Sequence, residues 1–350
     1  MLIKYLENAV SSGASDLFIV AGAPVSCKIN GCLSPIDQTK LLPPDTEALI
    51  TQLYNQAQRS MDNFLSCGDD DFSFSIAGLA RFRVSAYRQR GSLAATCRIV
   101  AFSIPSYLDL GIPEEIMNLS TLHGGMILFT GTAGSGKSTT QACLIDRINH
   151  TRNCHIITLE DPIEYLHRND KSIVSQREIA VDTADCLSAL RSCLRQSPDV
   201  ILLGEMRDAE TIHTAMTAAE TGHTVIATLH TRGTANSIDR IIDAFPASQQ
   251  AQIRVQLASV LHTVVSQQLI PNTKGGMSPA FEIMHTNSAI RTLIRDGKTH
   301  QLPSAILSFG EEGMISMDKS LISLIQRNEI DLEAAIEHAD NPDFIRRYVK

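Results

Sequence analysis

Apolar and polar positions change their rhythm partway along the chain. Through residues 1–104 they alternate in short runs. Asp16 to Val20, Val25 to Ile29, Phe72 to Ile76, Arg81 to Tyr87 and Ala94 to Val100 read as strands, punctuated by Gly31, Gly78 and Gly91. Ile3 to Ser11 reads as a short helix. Leu49, Ile50, Leu53 and Ala57 recur at helical spacing within a second helix expected over Asp45 to Phe64. The pattern predicts a small α+β domain over 1–104. Ser103-Ile104-Pro105-Ser106 and Gly111-Ile112-Pro113 then mark 105–122 as a linker.

After Leu122-His123-Gly124-Gly125 the strands become nearly continuous apolar runs: Met126 to Phe129, His155 to Leu159, Val200 to Leu203 and Thr224 to Thr228. Strands apolar on both faces, separated by helices, belong to a mainly parallel sheet covered on both sides. This predicts an α/β domain over 123–285, followed by a helical region over 286–350.

Composition narrows the class. The 350 residues carry 38 acids against 30 Lys and Arg, a formal charge of −8, and so lack the basic balance usual in a nucleic-acid motor. No apolar run reaches the roughly 18 residues of a membrane span. Met1 to Glu7 holds an acid in a short amphipathic stretch and does not read as a secretory signal. None of the eight cysteines forms a C-x-x-C pair, which argues against a four-Cys zinc module, and Cys186 and Cys193 read as core filling. An intracellular, reduced protein is expected.

The chemistry begins at Gly131-Thr132-Ala133-Gly134-Ser135-Gly136-Lys137-Ser138, a G-x-x-x-x-G-K-[ST] phosphate loop between an apolar strand and a helical stretch starting at Thr139. Its glycines let backbone N–H groups turn inward, and the helix start adds its dipole toward the same anion. Lys137 would reach the β- and γ-phosphates of ATP, and Ser138 would hold Mg²⁺.

Three further stretches complement the loop. Glu160, Asp161 and Glu164 follow an apolar strand at the sheet edge where ligands bind in open α/β folds; they read either as acids positioning Mg²⁺ and water or as capping acids. Glu205, at the tip of the strand Val200 to Leu203, has the placement of an acid that holds the Mg²⁺ shell through water and polarises the attacking water. Asp199, at the other end of that strand, reads as structural. His230 ends the strand from Thr224, at the γ-phosphate position, whereas His223 starts it. The two lie roughly 23 Å apart and cannot share a metal. In the first domain Arg81, Arg83, Arg88, Arg90 and Arg98 crowd a β region, with Arg81 and Arg83 on one face. They read either as a solvated face or as the source of an arginine finger for a neighbouring subunit.

Together the phosphate loop, Glu160-Asp161-Pro162-Ile163-Glu164, Gly204-Glu205-Met206-Arg207-Asp208, Ala219 to His223 and Thr228 to Thr231 resemble the motifs of the secretion-ATPase superfamily. Gly13 to Leu17, Ala80 to Val84 and Ala289 to Arg295 extend the resemblance, essentially end to end, to its PilT-type pilus retraction members. The resemblance implies a PAS-like first domain, a RecA-like ATPase core and a homo-hexamer with nucleotide between the domains. It implies a motor at the inner face of the cytoplasmic membrane, acting through a platform protein and only indirectly on pilin. Glu205 would be the catalytic acid, Glu160 and Glu164 supporting acids, and His230 the phosphate-facing histidine. Arg81, Arg83 or Arg98 would act across the subunit boundary, and the helix from Ala289 would serve retraction. Thr132-Ala133 replaces a common Pro-Thr, and Thr292 and Asp296 stand where Asn and Glu are usual.

Other classes remain open at this point. A pilus assembly or secretion ATPase would share the fold, but such members typically carry an extra N-terminal domain and a four-Cys insertion. A non-hydrolysing nucleotide-binding regulator would keep the loop without turnover. A nucleic-acid translocase would need a basic groove.

Overall fold

The computed structural model describes residues 1–29, 31–100 and 104–348. Ser103, the first residue of the expected boundary, and the last two residues of the expected helical tail lie outside them. The chain divides into two compact units, 1–103 with 164–166, and 104–163 with 167–350.

The first unit contains α1 (Leu2–Ser11), β1 (Asp16–Ile19), β2 (Pro24–Ile29), β3 (Cys32–Lys40), α2 (Pro43–Gln56), α3 (Asp62–Cys67), β4 (Asp69–Ile76), β5 (Ala80–Gln89) and β6 (Ser92–Val100). Its sheet runs β3-β2-β1-β6-β5-β4, antiparallel throughout. Along β5, Ala80, Phe82, Val84 and Ala86 are buried while the alternate residues face outward, the period of a half-buried strand. They pack with Leu2 and Leu6 of α1 and Leu49, Ile50 and Leu53 of α2. Each of the larger side chains among them contributes about 1.5–3 kcal/mol by its burial.

Two details differ from the expectation. The single helix over Asp45 to Phe64 is two, because Gln58 takes φ 51° and the Arg59 N–H turns back to the Tyr54 carbonyl at 3.0 Å, closing a helix end. The strand β3 was not expected. It is an edge strand that contains Pro35 and exposes Cys32 and Leu33, so no alternating apolar run marks it.

The second unit holds α4 (Glu114–Met117), β7 (Gly125–Thr130), α5 (Lys137–Thr151), β8 (His155–Glu160), β9 (Ile173–Glu178), α6 (Cys186–Cys193), β10 (Val200–Leu203), α7 (Ala209–Glu220), β11 (Thr224–Leu229), α8 (Thr234–Asp243), α9 (Ala247–Val260), β12 (Leu261–Pro271) and β13 (Met277–His285). After them come α10 (Ser288–Arg295), α11 (Leu302–Ser308), α12 (Met317–Gln326), α13 (Leu332–His338) and α14 (Pro342–Tyr348). The sheet order is β13-β12-β7-β11-β10-β8-β9, parallel except for β12 against β13.

The α/β class and the mainly parallel sheet are as expected. Along β7, Met126 and Leu128 enter one core while Ile127 and Phe129 enter another. Both faces of the strand are therefore covered, which is why its sequence is continuously apolar. Ile112, Ile116, Met117 and Leu119, from the stretch read as a linker, are buried in that second core. A third cluster joins Ile270 and Ala280 of the sheet to Met317, Leu321 and Ile345 of the last helices.

Candidate nucleotide site

Four adjacent parallel strands, β7, β11, β10 and β8, end at one edge of the sheet, and the phosphate loop, His230, Glu205 and Glu160 stand at their respective tips. Register fixes the spacing. Thr130 pairs with Leu229, Leu203 with Ala227, and Leu203 with Leu159, so neighbouring tips are roughly 5 Å apart.

The loop owes its shape to glycine at two points. Gly131 has φ 143° and Gly136 φ 86°. A Cβ on Gly131 would collide with the Gln267 carbonyl oxygen, and one on Gly136 would stand 2.8 Å from Gln267 Nε2. The loop is thus seated on β12. Gln267 is buried and its Oε1 accepts from Thr140 Oγ1 at 2.9 Å, while Gln141 Nε2 donates to Thr228 Oγ1 at 2.9 Å. These bonds fix α5 against β12 and β11. Lys137, 6 % exposed, donates to the carbonyls of Gly131 at 2.8 Å and Thr132 at 2.7 Å. Its ammonium is thereby held inside the loop, where an anion would sit. Ser138 is exposed in the first turn of α5, followed by Thr139. Thr132, Ala133 and Gly134 are exposed, and Ser135 is buried.

Glu205 is the centre of a charged group. His230 Nε2 lies 3.5 Å from Glu205 Oε2, and the Arg207 guanidinium pairs with Glu205 Oε1. Arg207 also stands 4.0 Å from Asp161. The Glu205 carboxylate beside it holds the Arg207 guanidinium above its usual range. Gly204 allows this crowding: a Cβ there would be 3.2 Å from the Leu159 carbonyl oxygen and 3.3 Å from Glu160 Cα. The Met206 N–H donates to the Thr228 carbonyl at 3.1 Å, tying the tip of β10 to β11. Asp208 caps α7, its Oδ1 accepting from the Thr211 N–H at 2.8 Å, which stabilises such a helix by about 1 kcal/mol.

The remaining candidates are placed differently. Glu160 Oε1 accepts from Thr158 Oγ1 at 2.6 Å and Gln176 Nε2 at 3.2 Å, so its carboxylate is occupied locally. Glu164 is exposed, in the segment that groups with the first unit. His223 directly precedes β11, its Nδ1 2.9 Å from the Ala218 carbonyl oxygen, at the end of α7. Asp199 Oδ2 accepts from the His155 N–H at 2.8 Å.

Within the first unit, Arg81, Arg83 and Arg98 share the outward face of the sheet, Arg83 and Arg98 directly opposite each other across β5 and β6. Arg98 pairs with Asp16 at 3.1 Å and Arg81 donates to Ser73 Oγ at 2.6 Å. Arg207 and Gln267 were not singled out from the sequence. Arg207 had a signal, its place two residues after the strand-tip acid. Gln267 had none, because it reaches the loop only through strand pairing.

A family model described as type II/IV secretion system protein matches residues 1–287. The pilus retraction ATPase PilT of Pseudomonas aeruginosa is 43 % identical over 98 % of this chain and 99 % of its own length. The type IV pilus ATPase PilU of the same organism is 38 % identical over 99 % of this chain and 91 % of its own. A crystal structure of the pilus retraction motor PilT with bound ADP covers 99 % of this chain and 98 % of that one, with a TM-score of 0.89 at 42 % identity.

Proposed function

The chain belongs to the type II/IV secretion system protein family, and on that premise we propose that it is an ATP-hydrolysing motor that drives type IV pilus retraction. One observation carries the reading: a phosphate loop, an acid and a histidine share one sheet edge in a chain similar to PilT over nearly all its length.

The phosphate loop takes the β- and γ-phosphates of ATP. Lys137 exchanges its contacts with the Gly131 and Thr132 carbonyls for phosphate oxygens. A hydroxyl at Ser138 and a carboxylate at Glu205 are hard oxygen donors of the kind Mg²⁺ prefers when phosphates and water complete its shell. Ser138 would hold the ion directly and Glu205 through water. When bound, Mg²⁺ neutralises charge on the transferring phosphoryl group. Glu205 orients the attacking water, with Arg207 restraining one carboxylate oxygen and His230 facing the other. His230 then donates a hydrogen bond to the γ-phosphate, so its position reports whether that phosphate is present. Glu160, at the tip of the next strand, and Glu164, four residues further along the chain, would support the metal and water.

The motor works as a homo-hexamer. One of Arg81, Arg83 and Arg98 completes a neighbour's site as an arginine finger. Arg83 suits this best, since Arg98 and Arg81 already have partners within their own sheet. No helix among the described residues is long and apolar enough to cross a membrane. The ring would sit in the cytoplasm against the inner membrane, working on a platform protein and through it on pilin, without nucleic acid. The domains would divide as 1–104, a connecting 105–122, 123–285 for the ATPase, and 286–350 for the helical region.

Deleting the gene tests the direction of the work. Surplus pili with lost twitching are expected. Absent pili would make the chain an assembly ATPase, and wild-type protein that binds ATP without turning it over would make it a regulator.

A further inference from the structure

The loop that carries His230 is held from behind by two polar residues in the antiparallel edge of the sheet. Ser266 on β12 and Glu282 on β13 face each other as cross-strand partners. Ser266 Oγ accepts from the Gly233 N–H at 3.0 Å, and Glu282 Oε1 accepts from the Thr234 N–H at 2.7 Å. Two successive amides at the start of α8 therefore end on two facing side chains.

Glu282 is an expensive choice for that place. It is 6 % exposed, and a buried carboxylate costs free energy that an apolar residue of similar volume avoids. Burial pushes its carboxyl above the usual carboxylate range, while hydrogen bonds from Thr234 and from the Met317 backbone pull the other way. Met317 is the first residue of α12. The carboxylate thus lies between the starts of two helices, α8 and α12, where the helix dipoles favour an anion.

The connection runs onward on both sides. Toward the site, Thr231 Oγ1 lies 2.6 Å from Ser237 Oγ, which donates to the Gly233 carbonyl at 2.7 Å, and Asn236 Nδ2 donates to the Arg232 carbonyl at 3.0 Å. Residues 231–233 are therefore braced against α8, and His230 precedes them directly. Toward the end of the chain, the Arg232 guanidinium donates to the His338 carbonyl, and His338 Nδ1 is 3.2 Å from Gln268 Oε1. Asp318 of α12 accepts from the Asp340 N–H at 2.9 Å.

We propose that Glu282 is a positioning residue: it sets where His230 stands against Glu205 and joins the nucleotide-site loop to the C-terminal helices. It touches no reacting atom, and its catalytic consequence rests on His230 facing the γ-phosphate. A misplacement of about 1 Å can cost on the order of 10²-fold in rate.

In the purified full chain, Glu282→Ala should lower kcat for ATP by roughly 10- to 10²-fold, with KM changed by less than about two-fold. Glu282→Gln, which keeps an oxygen for the Thr234 N–H, should recover most of the rate. Combined with His230→Ala, Glu282→Ala should cost nothing further, the non-additivity of residues that act through one another. The His230 imidazole resonance should shift in Glu282→Ala while that of His223, at the far end of β11, stays in place. An unmoved His230 resonance, or fully additive rate losses, overturns the proposal. A His230→Ala enzyme that turns over normally would refute the catalytic role of His230, and the resonance would still decide whether Glu282 positions it.

Discussion

The two edges of the seven-stranded sheet are built from similar residues and used in opposite ways. At the edge where β8, β10 and β11 begin stand His155, Asp199 and His223, and local backbone groups engage all three. Asp199 takes the His155 N–H, His155 Nδ1 lies 3.0 Å from the Gln196 carbonyl oxygen, and His223 lies against the Ala218 carbonyl oxygen. At the edge where the same strands end stand Glu160, Glu205 and His230, with Arg207 and Lys137. There Arg207 and His230 each approach the Glu205 carboxylate, and both are exposed. An acid or imidazole at the first edge closes backbone hydrogen bonds. At the second edge Glu160 is held by Thr158 and Gln176, while Glu205 and His230 stand at strand tips beside the phosphate loop. The parallel sheet makes the difference, because every strand delivers its C-terminal tip to one side.

The sharpest way to break this contrast is at Glu205. Glu205→Gln keeps the volume and one oxygen but removes the charge facing Arg207 and His230. ATP turnover should fall by about 10²- to 10⁴-fold, while nucleotide binding, measured by fluorescence or calorimetry, persists because Lys137 and the loop are untouched. Turnover within a few-fold of wild type would mean that the charged group at this edge is no more chemical than the one opposite.

The two histidines that flank β11 give a matched pair. His230→Ala should lower kcat by roughly 10²-fold, the loss expected for one donor to developing phosphate charge, with little change in melting temperature. His223→Ala should leave kcat within about two-fold and cost about 1 kcal/mol of stability, one local hydrogen bond at a helix end. If the two substitutions had the same effect on rate, strand polarity would not be what separates them.

How much of this was legible depends on whether a signal is local. The phosphate loop, Glu205 and His230 each announce themselves within a few residues, because a strand tip followed by a glycine or a charged group is a sequence-local event. The buried strands β7, β8, β10 and β11 were legible for the same reason. The edge strands β3 and β9 were not, since an edge needs no continuous apolar run. Nor were β12 and β13. Their apolar runs are interrupted by Ser266, Gln267, Gln268 and Glu282, whose polar atoms serve partners far along the chain: Thr140 of α5, the start of α8 and His338. A polar residue inside a strand reads as a break in the pattern until the partner that satisfies it is known.

Asp199 makes the smallest and most specific case. It is the one acid at the quiet edge of the strand whose other end leads to Glu205. Its Oδ2 accepts from the His155 N–H, and its carbonyl takes the Thr224 N–H at 3.0 Å, so it ties the starts of β8, β10 and β11 together. Asp199→Ala removes the side-chain bond and keeps the backbone one. Unfolding free energy should fall by about 0.5–1.5 kcal/mol, the range for one hydrogen bond whose freed donor water can reach. The rate at saturating ATP, measured well below the transition temperature, should not change. Asp199→Asn, which still offers an oxygen to the His155 N–H, should recover most of the stability. A loss of rate without a loss of stability would place chemistry at an edge whose acid and imidazoles are engaged by local hydrogen bonds.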